Sequence, residues 1–198
     1  MAFPDWINTS GLLWEGEYIA LYWPEPDEFD RLTDLRNTPQ VRQWFLDDRP
    51  LDPVNNRIWL ASGMNKPVEA LLSIRLKTNQ ALLGMIGWSD WDFENHIAWF
   101  GRIAIDRSAI KQTQPLLPDG YKGVTLDAAF TLRDFVFLRM HLEAGYTYYF
   151  SGNKLAERIN QSIGMKELRR VQRNRPDGTS VETIEMGMTR AQWLAISG

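Results

Sequence analysis

The 198-residue chain contains no cysteine. Disulfides, thiolate metal sites and a covalent cysteine intermediate are therefore excluded by inventory, so any group transfer has to proceed without an enzyme thioester. Histidine is nearly as scarce, with two residues, His96 and His141. Each stands at the start of a predicted strand, where packing or a surface hydrogen bond accounts for it better than base catalysis does. Positive charge is not in excess: 22 Lys and Arg against 25 Asp and Glu give a formal net charge of −3. That balance argues against a general attraction to nucleic acid or to an anionic membrane. No apolar run is long enough to cross a bilayer, and the opening Met1-Ala-Phe-Pro-Asp-Trp-Ile-Asn lacks the basic-then-apolar order of an export signal. A cytoplasmic protein with no nucleic-acid partner, no membrane partner and no metal is expected. Internal repeats and low-complexity segments are also missing.

What is present is a core. With 44% hydrophobic and 24% charged residues, a chain of this length suits one globular domain over residues 1–198. Residues 17–23 alternate in a β-rich composition and predict the first strand, leaving 1–16 as an N-terminal extension. Phe29, Leu32 and Leu35 have helical spacing within 27–36, and Pro39 biases the chain out of the helix. A second helix is predicted over 54–64. Three strands over 70–77, 81–88 and 96–106 are joined by short polar connections, which favours an antiparallel meander. A polar stretch with two prolines at 108–119 reads as a long irregular loop, of the kind that is often functional in compact domains. Residues 122–138 carry apolar positions on a broad helical face. Strands at 141–150, 166–173 and 181–189 and a short helix at 155–163 complete an α+β order: a mostly antiparallel sheet of about seven strands flanked by helices.

A strand, a loop and a glycine at a helix N-terminus form an arrangement whose backbone N–H groups can hold a pyrophosphate. Here that stretch is Gly120, Tyr121, Lys122, Gly123, Val124, Thr125. Further on come Asn153-Lys-Leu-Ala156 and Ile163-Gly164-Met165. In order of elements and in these motifs the chain resembles the GCN5-related N-acetyltransferases, in particular the branch of the ribosomal-protein N-acetyltransferases, over almost its whole length. The family pattern of Arg or Gln, two residues, Gly, one residue, then Gly or Ala is matched at Gly123. It is altered at Gly120 and Thr125. The resemblance implies that Gly120, Lys122, Gly123, Val124 and Thr125 bind the pyrophosphate of acetyl-CoA or another acyl-CoA, and that Asn153 contacts the pantetheine arm. Asn153 as a helix N-cap is compatible with that role. It further implies that the strand before the loop splays from its neighbour, with Ile103, Ala104 and Ile105 beside the pantetheine and its backbone polarising the thioester carbonyl.

The family often offers Ser and Tyr three and seven residues after this Asn. Ala156 and Asn160 stand there, and neither is a proton donor for a thiolate. Phe100 stands where relatives often carry Glu, so a carboxylate base would come from Asp90, Asp92 or Glu94. Tyr148 and Tyr149 offer a phenol, and in a strand only one of them can face the site. Acceptor contacts are expected from Arg36, Asn37 and Trp44, with Trp88 and Trp99 as apolar walls, and the arginines at 169, 170, 173 and 175 could attract an anionic acceptor. The expected activity is N-acetyl transfer from acetyl-CoA by direct amine attack, to a small amine such as an amino sugar or to a protein N-terminus. The alternative is a non-catalytic module of the same fold that binds CoA or a partner. A homodimer is allowed for.

Overall fold

The computed structural model describes residues 11–63, 68–119, 121 and 123–197. These form a single α+β domain built on a mixed sheet of eight strands among the described residues. The strands are β1 (Leu12–Glu15), β2 (Ile19–Tyr22), β3 (Ala70–Leu76), β4 (Leu82–Asp92), β5 (Ile97–Ile105), β6 (Ala144–Phe150), β7 (Lys166–Asn174) and β8 (Ser180–Thr189). Their order is β1-β2-β3-β4-β5-β6-β8-β7, antiparallel throughout except where β5 meets β6. The meander over β3, β4 and β5 is as the short connections predict. Among the described residues no helix is long and apolar enough to cross a membrane.

Helices cover both faces. On one lie α1 (Phe29–Asn37), the short α2 (Pro39–Arg42) and α3 (Pro53–Gly63). On the other lies α5 (Val124–Leu138), with α4 (Arg107–Thr113) before it and α6 (Lys154–Ser162) and α7 (Arg190–Ser197) after it in the chain. Residues 82–88 of β4 are buried without alternation, as expected of a strand sandwiched between helical layers. Leu32 of α1 packs with Leu82, Met85 and Ala104 on the first face. Leu72, Ile74, Ile86 and Trp88 pack with Leu132, Phe135 and Val136 on the second. α6 ends as its sequence implies: Gly164 takes a φ of 89°, its N–H donates to the Gln161 carbonyl, and the Met165 N–H donates to the Asn160 carbonyl. This is a Schellman closure, in which a glycine accepts the left-handed conformation.

The structure departs from the sequence reading at four places. The sheet has eight strands because Leu12–Glu15, inside the expected extension, pairs antiparallel with β2. Glu17 and Tyr18, expected in the first strand, lie between β1 and β2 instead, because their N–H groups donate to the Asp127 carboxylate. The stretch at 108–119 is not irregular. Asp106 accepts hydrogen bonds from the N–H groups of Ser108 and Ala109 at 2.9 and 3.1 Å and so starts α4, which runs into a 3-10 turn at Gln114–Leu116. Aspartate two and three residues before free helical N–H groups is a strong N-cap, and the prolines at 115 and 118 only end what it begins. Finally, α7 went unpredicted. It is held by Trp193, whose ring stacks on Phe137 at 5.6 Å and whose Nε1 donates to Asp134 at 2.9 Å.

Asp127 joins the ends of the sheet to the middle of the chain. Its carboxylate, on the first turns of α5, accepts the backbone N–H of Glu17, Tyr18 and Ile19 at 3.1, 2.9 and 3.2 Å. The Tyr121 hydroxyl donates to the same group at 2.9 Å. Gly16 is required beside it, because a Cβ there would overlap the Thr131 hydroxyl. Burial, followed by the Asp127 charge, pushes the Tyr121 phenol well above its ordinary pKa, so it remains a donor. Removing the carboxylate orphans several donors, each costing about 1–3 kcal/mol when buried. Asp127→Ala is therefore expected to lower stability by about 3 kcal/mol or more, and Asp127→Asn by less, as read from urea unfolding at neutral pH.

Candidate functional site

β5 and β6 pair in parallel at Ile97↔Ala144, Ala98↔Gly145 and Trp99↔Tyr146. No pairing continues beyond Trp99 among the described residues, so the remaining halves of the two strands diverge. Local sequence explains the parting. Gly145 has no side chain because the Phe100 ring occupies the place where a Cβ would go. That ring lies like a wedge where the strands separate. On its other edge β5 carries a bulge: Met85 faces Ala104 and Gly87 faces Gly101, two steps on β4 against three on β5. Gly101 and Arg102 adopt φ of 144° and 50° to make it. A non-glycine residue in that region costs about 1–3 kcal/mol. Arg102 is held there by Glu69 at 3.3 Å, which also accepts from the Trp59 indole at 3.2 Å. The result is a V-shaped cleft whose β5 side presents a free backbone edge.

The α5 N-terminus lies on the helical side of this cleft. Gly123, with φ of 109°, is its N-cap residue and supplies no side-chain cap, so first-turn N–H groups are left for another acceptor. No described atom lies within 4 Å of where a Gly123 Cβ would stand. A cavity of about 190 Å³ opens at this point, lined by Gly123, Thr125, Leu126, Leu155, Arg158 and Ile159, with Ser162 at its edge. Arg158 brings a positive charge that the sequence reading missed. Its signal was the helical phase: it stands one turn after Lys154 and Leu155, on the α6 face turned toward α5. Val124 is buried beneath the turn. Asn153 is the N-cap of α6, with its side-chain oxygen accepting from the Ala156 N–H at 3.1 Å. Gly120 and Lys122 lie outside the described residues. Ile103 and Ile105 pack half-buried on the α5 face. Ala104 faces α1 and is buried against Leu32 and Met85, so only its backbone is available to the cleft.

Strand alternation sorts the remaining candidates between the two faces. Tyr149 is buried in the core on the α5 face, and burial, with smaller contributions from Glu157 and Glu167, raises its pKa. Tyr148 points to the α1 face, 36% exposed, with the Trp99 ring at 6.1 Å and the Arg173 guanidinium at 4.8 Å. Trp99 also lies 5.6 Å from Tyr146, so this face carries an aromatic floor next to the cleft. Trp44, 42% exposed, stands edge-on to Phe150 of the same face. Arg36 is buried and stacks 3.8 Å over Phe45, its pKa lowered mainly by that burial. The side chain of Asn37 exchanges hydrogen bonds with the backbone of Leu51 at 2.9 and 2.7 Å. Arg36 and Asn37 thus shape the 43–52 loop that borders the floor.

Two candidates are not brought to the site. Trp88 is 0% exposed, packed against Trp23, Trp91 and Phe135 on the α5 side. It walls no acceptor pocket, because Trp88 lies in the part of β4 that is covered on both faces. Asp92 organises the β4–β5 hairpin at the closed end of the V, accepting from the N–H groups of Glu94 and Asn95 and from the Asn95 amide. The Asn95 hydrogen bonds hold its carboxyl below the usual range.

In sequence, no protein-family model and no curated protein matches the chain. In structure it is similar to the spermidine N-acetyltransferase from Vibrio cholerae solved in complex with CoA and spermine, at a TM-score of 0.74 with 14% identity, over 89% of this chain and 98% of that one. It is also similar to a GNAT-family acetyltransferase from Bacillus anthracis (TM-score 0.72, 15% identity, 90% and 98% covered). A third likeness is to a GCN5-related N-acetyltransferase from Brucella melitensis (TM-score 0.70, 16% identity, 92% and 80% covered). The chain therefore has the fold of the GCN5-related N-acetyltransferases.

The end of β5 is tied to α1 by Asp106, whose carboxylate pairs with Arg31 at 2.9 Å while capping α4. Burial would raise its pKa, but the hydrogen bonds from Ser108, Arg31 and Ala109 prevail and hold it at about 2. A depressed carboxylate stabilises the fold fully above the ordinary value near pH 4, and that contribution disappears as pH falls through about 2. Acid unfolding should show a loss of about 2 kcal/mol across this window. Asp106→Asn should be less stable at neutral pH and shallower in its pH dependence below about 4, as read from urea midpoints across the acid range.

Proposed function

We propose that the protein transfers an acyl group, acetyl from acetyl-CoA or a related acyl from another acyl-CoA, to the nitrogen of a small amine or a protein N-terminus. The observation that carries this reading is a coincidence of two features that the fold does not need for stability. β5 and β6 part after Trp99, and the helix packed on β5 opens, at its uncapped, glycine-entered N-terminus, onto a cavity that Arg158 also lines. The first-turn N–H groups of α5 suit a pyrophosphate, as oriented donors at the positive end of a helix. Arg158 and the Thr125 hydroxyl add a charge and a further donor. Asn153, whose Nδ2 donors take no part in its capping bond, would contact the pantetheine arm. The solved likeness that contains CoA supports a cosubstrate of this kind.

The residues then divide the work. The free β5 edge past Trp99 offers backbone donors where charge develops on the thioester oxygen. The neutral amine attacks from the aromatic side, a C–N bond forms, and the C–S bond breaks. The proton lost by nitrogen returns to the sulfur through the Tyr148 hydroxyl, the exposed phenol next to the cleft. Tyr149, buried in the core on the α5 face, takes no part in the transfer. Without cysteine no thioester acyl-enzyme can form, and the proposed transfer runs in a ternary complex.

Calorimetric titration with acetyl-CoA, paired with a thiol-release assay on an amine panel, tests this reading. Acetyl-CoA should bind, and Arg158→Gln should weaken binding by about tenfold, the value of one charge-assisted contact. Gly123→Glu, which puts a carboxylate at the mouth of the helix, should abolish it. Tyr148→Phe should lower kcat by about a hundredfold with acetyl-CoA affinity unchanged. Binding with no thiol release on any amine would leave a CoA-binding module in place of an enzyme.

A further inference from the structure

We infer that the acceptor is an amine carrying its own anionic group, a carboxylate or a phosphate, on a flat skeleton; this rests on the acyl-transfer reading above. The carrying observation is a clasp on the α1 face beside the cleft. Glu185 of β8 is 4% exposed. Its two oxygens each take a guanidinium, Arg173 Nη2 at 2.6 Å and Arg169 Nε at 2.6 Å. One carboxylate thus holds two cations, and the cluster keeps a net positive charge.

The clasp is built and not incidental. Arg173 Nε donates to the Thr183 hydroxyl at 3.1 Å, and its guanidinium carbon lies over the Tyr148 ring, 4.8 Å from the centroid. Tyr148, Glu185 and Arg169 face one another across three strands in a single row. Nη1 of Arg173 and both terminal nitrogens of Arg169 have no partner among the described residues. Arg173, held at Nε, at Nη2 and over the Tyr148 ring, has its free donor set before any ligand arrives, which lowers the ordering cost of binding an anion; Arg169, anchored at Nε, adds a second charge beside it. The other arginines of the hairpin have acidic partners of their own: Arg170 pairs with Glu167 and Glu182, and Arg175 with Asp48.

The same charges disfavour a polyamine. A polycationic acceptor needs carboxylates that are open to it, yet Asp48, Glu69 and Glu185, which border this face, are each in an ion pair. The rings of Trp99, Tyr146 and Tyr148 supply a flat apolar surface for the body of the acceptor. The free donors of Arg169 and Arg173 take its anion, and its amine is left to reach the parted strands.

Matched pairs test the inference on the full chain loaded with CoA: tyrosine against tyramine for a carboxylate, phosphoethanolamine against ethanolamine for a phosphate, and spermidine as a polycation. Calorimetric binding reads the pocket independently of turnover. At least one anionic member should bind about tenfold or more tighter than its partner and than spermidine, and the pair that discriminates says which anion is taken. Arg173→Gln should erase that preference, raising KM more than it lowers kcat, and Arg173→Lys should restore part of it. Arg170→Gln, which leaves the clasp untouched, should bind like the wild type and guards against a general charge effect. Equal or tighter binding of the cationic members, or a preference that survives both Arg173→Gln and Arg169→Gln, overturns the inference. If acetyl-CoA itself fails to bind the wild type, it is the acyl-transfer reading that falls.

Discussion

One buried carboxylate fixes the helix whose open end borders the cleft. Asp127 gathers three consecutive backbone N–H groups from the β1–β2 turn and the hydroxyl of Tyr121. Three adjacent amides around one anion form a compact nest, and the anion belongs to the first turns of the helix whose open end borders the cleft. The β1–β2 hairpin, the Tyr121 side chain and α5 thus cannot shift independently. Tyr18 and Tyr121 add an edge-on ring contact at 5.0 Å to the same joint. Tyr121, just before α5, is anchored by that carboxylate, while the first-turn N–H groups of the helix receive no side-chain cap.

The cleft depends on a second constraint, which is steric. Ordinarily a parallel pair of strands would run on and bury its edges. The Phe100 ring over Gly145 and the bulge at Gly101 and Arg102 prevent this, and the strain of Arg102 is carried by Glu69. An unpaired backbone edge inside a domain is expensive unless something completes it. On the acyl-transfer reading proposed above, a thioester bound along this edge would complete it. The two sides of the sheet then serve different ends. The α5 face is a continuous apolar core, and the α1 face near the cleft is lined with rings and paired charges.

Much of the fold was legible. Leu32 and Leu35, the strand alternations, Asn153 as a cap and Gly164 as a helix stop all act through local chemistry, and the structure places them where that chemistry predicts. Misreadings arose where a local rule met a distant partner. Residues 17 and 18 have strand composition, but Asp127, some 110 positions away, takes their N–H groups. Prolines at 115 and 118 suggested a loop, although Asp106 had already capped a helix. Trp88 and Trp99 are equivalent in composition, and one residue of register on adjacent strands buries the first in the core and lays the second on the aromatic floor.

By itself, the sequence determined whatever repeats at short range: the succession of strands and helices, their stops, the lack of any thiol nucleophile, and the glycine at the α5 N-terminus. These follow from backbone preference and side-chain period, which each residue carries wherever it goes. Tertiary structure alone decided that Tyr148 lies beside Trp99 while Tyr149 enters the core, that Arg158 stands across from Gly123, and that Glu185 clasps two arginines next to Tyr148. Such meetings join residues far apart in the chain, and their energies depend on distance and burial that only the closed fold creates.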